Sequence, residues 1–251
     1  MKILENKVAI VTGGTRDIGR SCSIKLAEAG AKVAVNYLNN KAAGDETVAA
    51  IEKAGGSAIL VKGDMTKKAD VDSLVATTCE AFGGSINVLV NNVGGLVARK
   101  KLEEMDEEFF NHVMGLNMNS TFLTTQAVVP HMPAGSAIVN LASLAGRDGG
   151  GGGATAYAVS KGAVMTFTRA MAKELGPQGI RVNALCPGMI DTTFHDTFTP
   201  DAARKGVEGS VPLRRQGHPD DCANTVTYLA SDAAAYITGA NIDINGGMNF
   251  S

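Results

Sequence analysis

The amino-acid sequence predicts an α/β fold in which one parallel sheet carries helices on both of its faces. Short runs rich in valine and isoleucine recur along the 251 residues, and segments long enough for helices separate them. The runs are apolar throughout rather than alternating, as strands buried on both faces must be. Strands that alternate with helices in this way build a doubly wound sheet.

Seven runs are predicted as strands, which gives a Rossmann-like sheet of about seven strands. The chain length suits one domain better than two, so residues 1–251 are expected to form a single domain. Between the third and fourth runs, one face of a predicted helix collects Val71, Leu74, Val75, Cys79 and Phe82. The predicted strands are 7–13, 31–37, 57–64, 86–92, 136–143, 180–188 and 240–246.

Composition excludes several classes of protein. With a formal charge of −2 and no basic block, the chain is not expected to bind nucleic acid. Its first residues, "MKILENKVAIV", lack a signal-peptide cleavage site, and no run of about 18 apolar residues occurs, so a cytoplasmic protein is expected, with no membrane partner. The histidines lack HExxH pairing and the cysteines lack CxxC spacing, so buried thiols are expected rather than disulfides or a metal site. These cysteines are Cys22, Cys79, Cys186 and Cys222.

The stretch "VTGGTRDIGR", residues 11–20, joins the first predicted strand to a helix. A glycine turn followed by a helix N-terminus is a ready site for a phosphate group. Gly13 and Gly14 are expected to form the tight turn, and Gly19 to let the helix approach the sheet. Asp17 is predicted to cap the helix with its carboxylate turned away from the phosphates, the alternative being a direct contact with the cofactor.

Tyr157 and Lys161 lie four residues apart in a helical pattern, so both side chains point from one face. A free phenol has a pKa of about 10, and an ammonium group one turn away favours the phenolate. Ser143, at the end of the fifth strand, could hold a carbonyl oxygen where Tyr157 delivers a proton. With a nicotinamide cofactor, this set would reduce a carbonyl or oxidise an alcohol. The YxxxK pattern alone is a weak signal, because such a pair usually lies on a helix surface.

Several further motifs occur in the order and approximate spacing of one family. They are "TGGTRDIG", "NNVG", Asn117 in "GLNMNS", Ser143 in "NLASLAG", Tyr157 with Lys161, and "PGMIDT". Together they resemble the short-chain dehydrogenase/reductase family, and the resemblance extends to "INGGM" near the C-terminus. Within that family, the chain is similar to the 3-oxoacyl-[acyl-carrier-protein] reductases and the related sugar and sugar-acid dehydrogenases. The resemblance implies an NAD(P)(H)-dependent oxidoreductase with a small-molecule substrate, a single dinucleotide-binding and catalytic domain, and a homotetramer.

The resemblance also implies residue roles. Tyr157 would be the general acid/base, Lys161 would hold the nicotinamide ribose and lower the pKa of Tyr157, Ser143 would polarise the carbonyl, and Asn117 would fix a proton-relaying water. Asp64 and Met65 would flank the adenine, Asn91 and Gly94 the adenosine side and ribose, and Pro187, Gly188 and Thr192 the nicotinamide amide. The full cofactor-binding set is Gly13, Thr15, Arg16, Asp17, Ile18, Asn36, Tyr37, Asp64, Met65, Asn91, Val93, Gly94, Tyr157, Lys161, Pro187, Gly188, Ile190 and Thr192.

The chain departs from the family pattern at two places. Asp17 stands where the family has glycine, and Ser143 and Tyr157 are separated by 14 positions, one more than the family spacing. The extra residue is assigned to the glycine run 149–153, which is expected to be a mobile loop over the site. The shape of the substrate pocket stays open at this point.

The choice of cofactor rests on the end of the second strand. That strand ends in Asn36 and Tyr37, without the acid that often binds the ribose 2′-hydroxyl in NAD sites. Arg16 could pair with a 2′-phosphate, which favours NADPH. NADH is the alternative, because Tyr37 and Asp17 would crowd or repel that phosphate.

Residues 189–217 are expected to cover the substrate, whose identity the sequence leaves open. A 3-oxoacyl thioester and a polar keto-sugar or keto-uronic acid are the two substrate classes considered. His195 and His218 are expected to be solvated surface groups, with a substrate contact by His195 as the alternative. A non-catalytic dinucleotide-binding regulatory protein is the hypothesis from another class, and the complete set of Ser143, Tyr157, Lys161 and Asn117 argues against it.

Overall fold

A computed structural model describes residues 2–250, apart from the side chains at positions 203 and 208. Seven parallel strands form one sheet, and each lies within the range that the sequence predicts, so the predicted fold class is confirmed. The strands are β1 (Val8–Val11), β2 (Lys32–Tyr37), β3 (Ser57–Lys62), β4 (Val88–Asn91), β5 (Ala137–Leu141), β6 (Arg181–Pro187) and β7 (Asn241–Ile244).

The sheet has the strand order β3-β2-β1-β4-β5-β6-β7. The order reverses between β1 and β4, and in such sheets a crevice opens there at the carboxyl ends of the strands. The helices are α1 (Asp17–Glu28), α2 (Lys41–Lys53), α3 (Lys68–Phe82), α4 (Glu107–Met114), α5 (Ser120–Val128), α6 (Ala145–Asp148), α7 (Thr155–Leu175), α8 (Thr193–Phe198), α9 (Asp201–Ser210) and α10 (Pro219–Ala230).

Two hydrophobic clusters explain why the strands are apolar at every position. Successive side chains of a strand point to opposite faces of the sheet. In β1, Ala9 and Val11 pack into one cluster with α1 and α10, whereas Ile10 packs into the other with α3. In β2, Val33 and Val35 belong to the first cluster. Both faces are therefore core, and a polar residue in the middle of a central strand would be buried whichever way it pointed.

The predicted helix between the third and fourth strands is confirmed as α3. Val71, Leu74 and Val75 are buried, and Cys79 and Phe82 pack against the same cluster. Cys22, Cys186 and Cys222 are buried free thiols, whereas the free thiol of Cys79 is only half-buried.

Two further properties concern residues 2–250, the part of the chain that the structure describes. None of the helices described there combines the length and the apolar character needed to cross a membrane. Within the same range, histidine, cysteine and acidic side chains form no group of three or more that could hold a metal ion.

Candidate active site

The loop between β1 and α1 is held in shape by two asparagines from neighbouring strands. Gly13 has a φ of 58°, a left-handed conformation that glycine adopts without strain. The Gly13 N–H donates to Asn36 Oδ1 at 3.0 Å, and Asn92 Nδ2 donates to the Gly13 carbonyl at 3.0 Å. A Cβ at Gly19 would collide with that same carbonyl, which explains the close approach predicted for this glycine. The loop is thus fixed from both sides beside the N-terminus of α1.

Asp17 does not cap α1, so that prediction is wrong. The N-cap residue of α1 is Arg16, and Asp17 is the first helical residue, with a φ of 51°. Its carboxylate turns instead to Thr193, accepting a hydrogen bond from the main-chain N–H at 3.1 Å and another from the hydroxyl at 2.6 Å. The left-handed backbone explains why a glycine would suit this position, and it directs the aspartate side chain away from the start of its own helix.

The predicted catalytic side chains meet at the carboxyl ends of β5 and β6. Tyr157 and Lys161 project from the first turns of α7, and the Lys161 Nζ lies 5.8 Å from the centre of the Tyr157 ring. Ser143 follows β5, and its Oγ accepts a hydrogen bond from the Ala145 N–H at 3.1 Å. The ammonium group of Lys161 donates to the Leu141 carbonyl at 2.6 Å, which anchors this buried side chain to the end of β5.

Burial controls the acid–base properties of this group. Burial raises the pKa of the Tyr157 phenol, and its hydrogen bond with Ser143 opposes that rise. Burial also lowers the pKa of Lys161 from 10.5 to about 8. The expected net lowering of the Tyr157 pKa by Lys161 is therefore not what the structure shows, because loss of solvent outweighs the other contributions. The contribution of the Ser143 hydroxyl is in the direction that favours the phenolate.

Asn117 lies in a π-helical turn, Gly115–Asn119, between α4 and α5. Its side chain is fully committed to the main chain. Its Oδ1 accepts from the Gly95 N–H at 2.9 Å, and its Nδ2 donates to the Gly95 and Val113 carbonyls, both at 2.9 Å. A Cβ at Gly94 would lie 2.5 Å from Asn117 Oδ1 and 2.9 Å from Lys161 Nζ. Asn117 therefore fixes the segment after β4 directly against Lys161.

A cavity of about 900 Å³ runs from the glycine loop to Tyr157, within the size range of cofactor sites. Most of the predicted residues line it: Gly13, Thr15, Arg16, Asp17, Ile18, Tyr37, Val93, Gly94, Ser143, Tyr157, Lys161, Pro187, Gly188, Ile190 and Thr192. The other five do not line it: Asn36, Asp64, Met65, Asn91 and Asn117.

Each of those five side chains is engaged elsewhere. Asn36 holds the glycine loop, as described above, and Asn91 Nδ2 donates to Asn140 Oδ1 at 2.9 Å inside the sheet. Met65 is buried in the hydrophobic cluster under α3. The Asp64 carboxylate accepts hydrogen bonds from the main chain and the hydroxyl of Thr66. The polar residues that follow strands here serve the loops as much as the cavity.

The far end of the cavity contains aromatic residues that the sequence reasoning did not single out. The Phe194 ring centre lies 5.8 Å from that of Tyr157 and 5.2 Å from that of Phe198. His195 is half-buried and lines the cavity, so its prediction as a solvated surface group is wrong. Burial is the largest cause that lowers the His195 pKa, followed by the charges of Arg204 and Arg99, which favours the neutral ring.

The glycine run forms one rim of the cavity. Gly149, Gly150 and Gly153 have φ values of 88°, 71° and 73°, which explains why this loop is built of glycine. The loop is tied to the opposite side, since Arg99 Nη1 donates to the Gly152 carbonyl at 2.9 Å and the Lys100 N–H donates to the Gly153 carbonyl at 3.0 Å.

The residues present fit a nicotinamide dinucleotide. The cavity offers a glycine turn beside the N-terminus of α1 for the diphosphate and a second close main-chain approach at Gly94. It ends at a phenol and a buried ammonium group, the chemistry that a hydride-transfer site needs next to the ring. Asn92, which also lines the cavity, was missed by the sequence reasoning although it stands in the "NNVG" motif.

Comparisons with known proteins agree with this architecture. A family model described as enoyl-(acyl carrier protein) reductase matches residues 13–249. The 3-oxoacyl-[acyl-carrier-protein] reductase of Synechocystis sp. is 39% identical over 255 residues, covering 99% of both chains. A short-chain dehydrogenase/reductase from Serratia marcescens superposes with a TM-score of 0.92 at 33% identity, covering 98% of both chains.

A third likeness is to the structure of NADH-dependent reductase A1-R′, described as responsible for alginate metabolism. It has a TM-score of 0.90 and 33% identity and covers the whole of both chains. Because the family model and these full-length likenesses extend along nearly the entire sequence, the chain belongs to the short-chain dehydrogenase/reductase family of nicotinamide-dependent oxidoreductases.

Proposed function

We propose that this protein interconverts a ketone and an alcohol by NAD(P)(H)-dependent hydride transfer, with Ser143, Tyr157, Lys161 and Asn117 as the functional set. The observation that carries the proposal is that Ser143, Tyr157 and Lys161 lie together on the wall of one cavity, with Lys161 buried and its Nζ 5.8 Å from the centre of the Tyr157 ring. A non-catalytic dinucleotide-binding protein would have no use for a buried ammonium group beside a phenol.

Each residue has a distinct task in the proposed reaction. When bound, the dinucleotide supplies or accepts the hydride. In the direction of reduction, Ser143 Oγ donates a hydrogen bond to the carbonyl oxygen, and the Tyr157 phenol gives that oxygen its proton. Lys161, anchored on the Leu141 carbonyl, binds the ribose of the cofactor and stabilises the phenolate left behind. Because the Asn117 side chain is engaged with Gly95, we propose that its main-chain carbonyl positions the water that returns a proton.

The substrate is proposed to be a 3-oxoacyl thioester. Relatives with full-length similarity carry the name 3-oxoacyl-[acyl-carrier-protein] reductase, and residues 189–217, which we propose cover the substrate, add Phe194, Phe198 and Val207 to the cavity lining. Arg204 pairs with Asp191 and Asp196, and Arg215 pairs with Asp221. Their charges are therefore balanced within the protein.

A keto-uronic acid is the second candidate. It is favoured by the likeness to reductase A1-R′ and by Arg99, which lines the cavity and hydrogen-bonds the Phe198 and Gly152 main-chain carbonyls. A main-chain carbonyl carries no net charge, so these two contacts leave the Arg99 charge unbalanced. A substrate carboxylate at the cavity mouth would complement it.

A substrate panel tests the proposal. Acetoacetyl thioesters of coenzyme A and acyl carrier protein, and a keto-uronic acid, are each supplied with NADPH and with NADH. Oxidation of the reduced cofactor is followed by absorbance. We expect the highest kcat/KM with a 3-oxoacyl thioester. A higher value with the uronate would move the substrate to the second candidate, and cofactor binding without turnover of any carbonyl compound would support a regulatory protein.

NADPH is the cofactor form we propose. The end of β2 carries Tyr37 rather than an acid, and Arg16 lines the cavity with a side chain that is 74% exposed. The Arg16 guanidinium donates to the Thr193 hydroxyl at 3.2 Å, and we propose that it turns from there to a 2′-phosphate. Arg16→Ala is expected to raise the KM for NADPH more than that for NADH. The difference should correspond to about 1.5–3 kcal/mol of binding free energy if a charge-assisted hydrogen bond is lost. Steady-state kinetics with both cofactors measure the difference.

Arg20→Ala is the matched control, because Arg20 is exposed on the same helix one turn further on. It should leave the ratio of the two KM values unchanged. Equal effects of Arg16→Ala on the KM values of both cofactors would show that Arg16 does not contact a 2′-phosphate and serves only its hydrogen bond with the Thr193 hydroxyl. That result would favour NADH.

We also propose that residues 1–251 act as one dinucleotide-binding and catalytic domain within a homotetramer in the cytoplasm. The family resemblance supports the assembly. Sedimentation or light scattering of the purified protein would measure its mass.

A further inference from the structure

We propose that Asp17 is a positioning residue, one that holds the substrate-covering helix α8 on the cofactor-binding loop and thereby sets Phe194 against Tyr157. The catalytic part of this inference rests on the proposed function. Its structural part is that a residue of the phosphate loop supplies the cap of a helix 176 positions away.

The contacts of Asp17 are those of a helix cap. Thr193 is the first residue of α8, and both its N–H and its hydroxyl donate to the Asp17 carboxylate, at 3.1 and 2.6 Å. Arg16 Nη1 donates to the same hydroxyl at 3.2 Å. Thr192, the N-cap residue by position, turns its hydroxyl to the Ile190 carbonyl at 3.0 Å instead. Asp17 therefore does for α8 what a local N-cap side chain ordinarily does.

A helix of this length needs such support. α8 has six residues, and isolated helices of that size are not stable in water. Its far end is held by Arg99, whose Nε donates to the Phe198 carbonyl at 3.3 Å and whose Nη1 reaches the glycine loop. Asp17 at the start and Arg99 at the end thus fix the helix on opposite sides of the cavity.

Phe194 connects this support to the reacting atoms. It directly follows Thr193, and its ring lies 5.8 Å from the Tyr157 ring. If Thr193 moved away from Asp17, Phe194 would move with it, and the wall that borders the phenol would open. Small displacements of groups that orient a substrate reduce turnover strongly.

The backbone conformation of Asp17 allows a clean test. Its φ of 51° is disfavoured for a residue with a Cβ and free of strain for glycine. Asp17→Gly therefore removes the carboxylate while relieving the backbone, so a loss of function cannot come from a distorted loop. Asp17→Asn keeps an oxygen that can accept from the Thr193 N–H, and asparagine tolerates the same conformation.

The experiment compares amide hydrogen exchange of residues 193–198 and kinetics in the unmodified protein, Asp17→Gly and Asp17→Asn. In Asp17→Gly we expect exchange in α8 to become about tenfold faster, since this segment would open locally more often. We expect kcat/KM for the carbonyl substrate to fall about fivefold or more. The dissociation constant of the cofactor should stay within about twofold, and the thermal midpoint within about 2 °C. Asp17→Asn should recover most of both losses.

Asn6→Gly is the control. Asn6 also has a positive φ, 65°, and is exposed on the loop before β1, so it reports what relief of backbone strain does by itself. Thr193→Val removes the hydroxyl and keeps the N–H. It should have a smaller effect than Asp17→Gly. The loss in the double variant should be smaller than the sum of the two single losses, because only the Arg16 bond to that hydroxyl remains to be removed.

Three results would overturn the inference: unchanged exchange in α8 of Asp17→Gly, additive effects of Asp17→Gly and Thr193→Val, or a tenfold loss of cofactor affinity. The last would mean that the carboxylate holds the dinucleotide directly. Hydrogen exchange needs no turnover, so faster exchange in a protein that reduces no carbonyl compound would contradict the proposed function and leave the cap of α8 standing.

Discussion

Tyr157→Phe is expected to lower turnover about 10²-fold or more, the magnitude of losing a general acid/base. The substitution removes one oxygen and leaves the ring, which packs at 5.8 Å from Phe194, in place. Ser143 keeps its bond from the Ala145 N–H, so the geometry at the end of β5 should persist. Steady-state kinetics give the turnover, and titration of cofactor fluorescence gives the dissociation constant.

The dissociation constant of the cofactor should change by about twofold or less in Tyr157→Phe. The substitution removes only the phenol oxygen, and the proposed contacts that hold the cofactor near this residue come from Lys161 and the main chain. Tyr236→Phe serves as the control, since Tyr236 is fully exposed. Turnover of Tyr157→Phe close to that of the unmodified protein would show that another group moves the proton.

Lys161→Met is expected to produce the second large effect: it should reduce turnover and cofactor affinity while it raises the stability of the folded protein. Turnover should fall by about 10²-fold and cofactor affinity by about tenfold, because in the proposed mechanism one ammonium group serves both the phenolate and the ribose. The protein itself should become more stable at neutral pH. Lys161 is only 4% exposed, and a methionine of similar length needs no compensation for a buried charge.

The pH dependence of stability follows from the same lysine. Its pKa is about 8 in the folded protein, against an ordinary value of 10.5, so between these two values the unfolded chain holds more protons than the folded one. This group therefore makes the free energy of unfolding rise with pH across that window, by roughly 1–3 kcal/mol. Below pH 8, Lys161 is protonated in both the folded and the unfolded state, so it no longer changes the free energy of unfolding as the pH falls further.

Urea unfolding of the cofactor-free protein at pH 7 and at pH 10 measures this effect. The rise should be absent from Lys161→Met. Lys173→Met, near the C-terminal end of the same helix, is the control and should leave the rise in place. An equal rise in Lys161→Met would assign the titration to other groups.

The sheet and the placement of Tyr157 beside Lys161 were predictable because they follow from local patterns. A parallel strand covered on both faces must be apolar at each position. In β1, Ala9, Ile10 and Val11 belong to two different clusters, and the resulting apolar run can be recognised in the sequence. Likewise, four residues along a helix place Tyr157 and Lys161 on one face whatever surrounds them.

Properties set by distant parts of the chain were not predictable in this way. The capping rule is local, and it assigned Asp17 to α1, whereas the groups that bind its carboxylate belong to Thr193. Sequence spacing placed Lys161 beside Tyr157 but carried no information on how far both are removed from water, and this decides the direction of their pKa shifts. Asn36 and Asn91 follow strands as ligand-binding residues do, yet their amides satisfy buried main-chain and side-chain groups.

The glycine run at the rim of the cavity also determines where new chemistry can be engineered. Three of its positions, 149, 150 and 153, have backbone angles that side chains rarely adopt, so a library that randomises them would mostly produce strained loops. Gly151 and Gly152 do not have this restriction. A Cβ at Gly151 would sit 3.5 Å from Arg99 Nη1, and one at Gly152 would face open space. The glycine run thus contains two neighbouring positions at the rim of the cavity where substitutions selected for new substrates meet neither backbone strain nor a close contact.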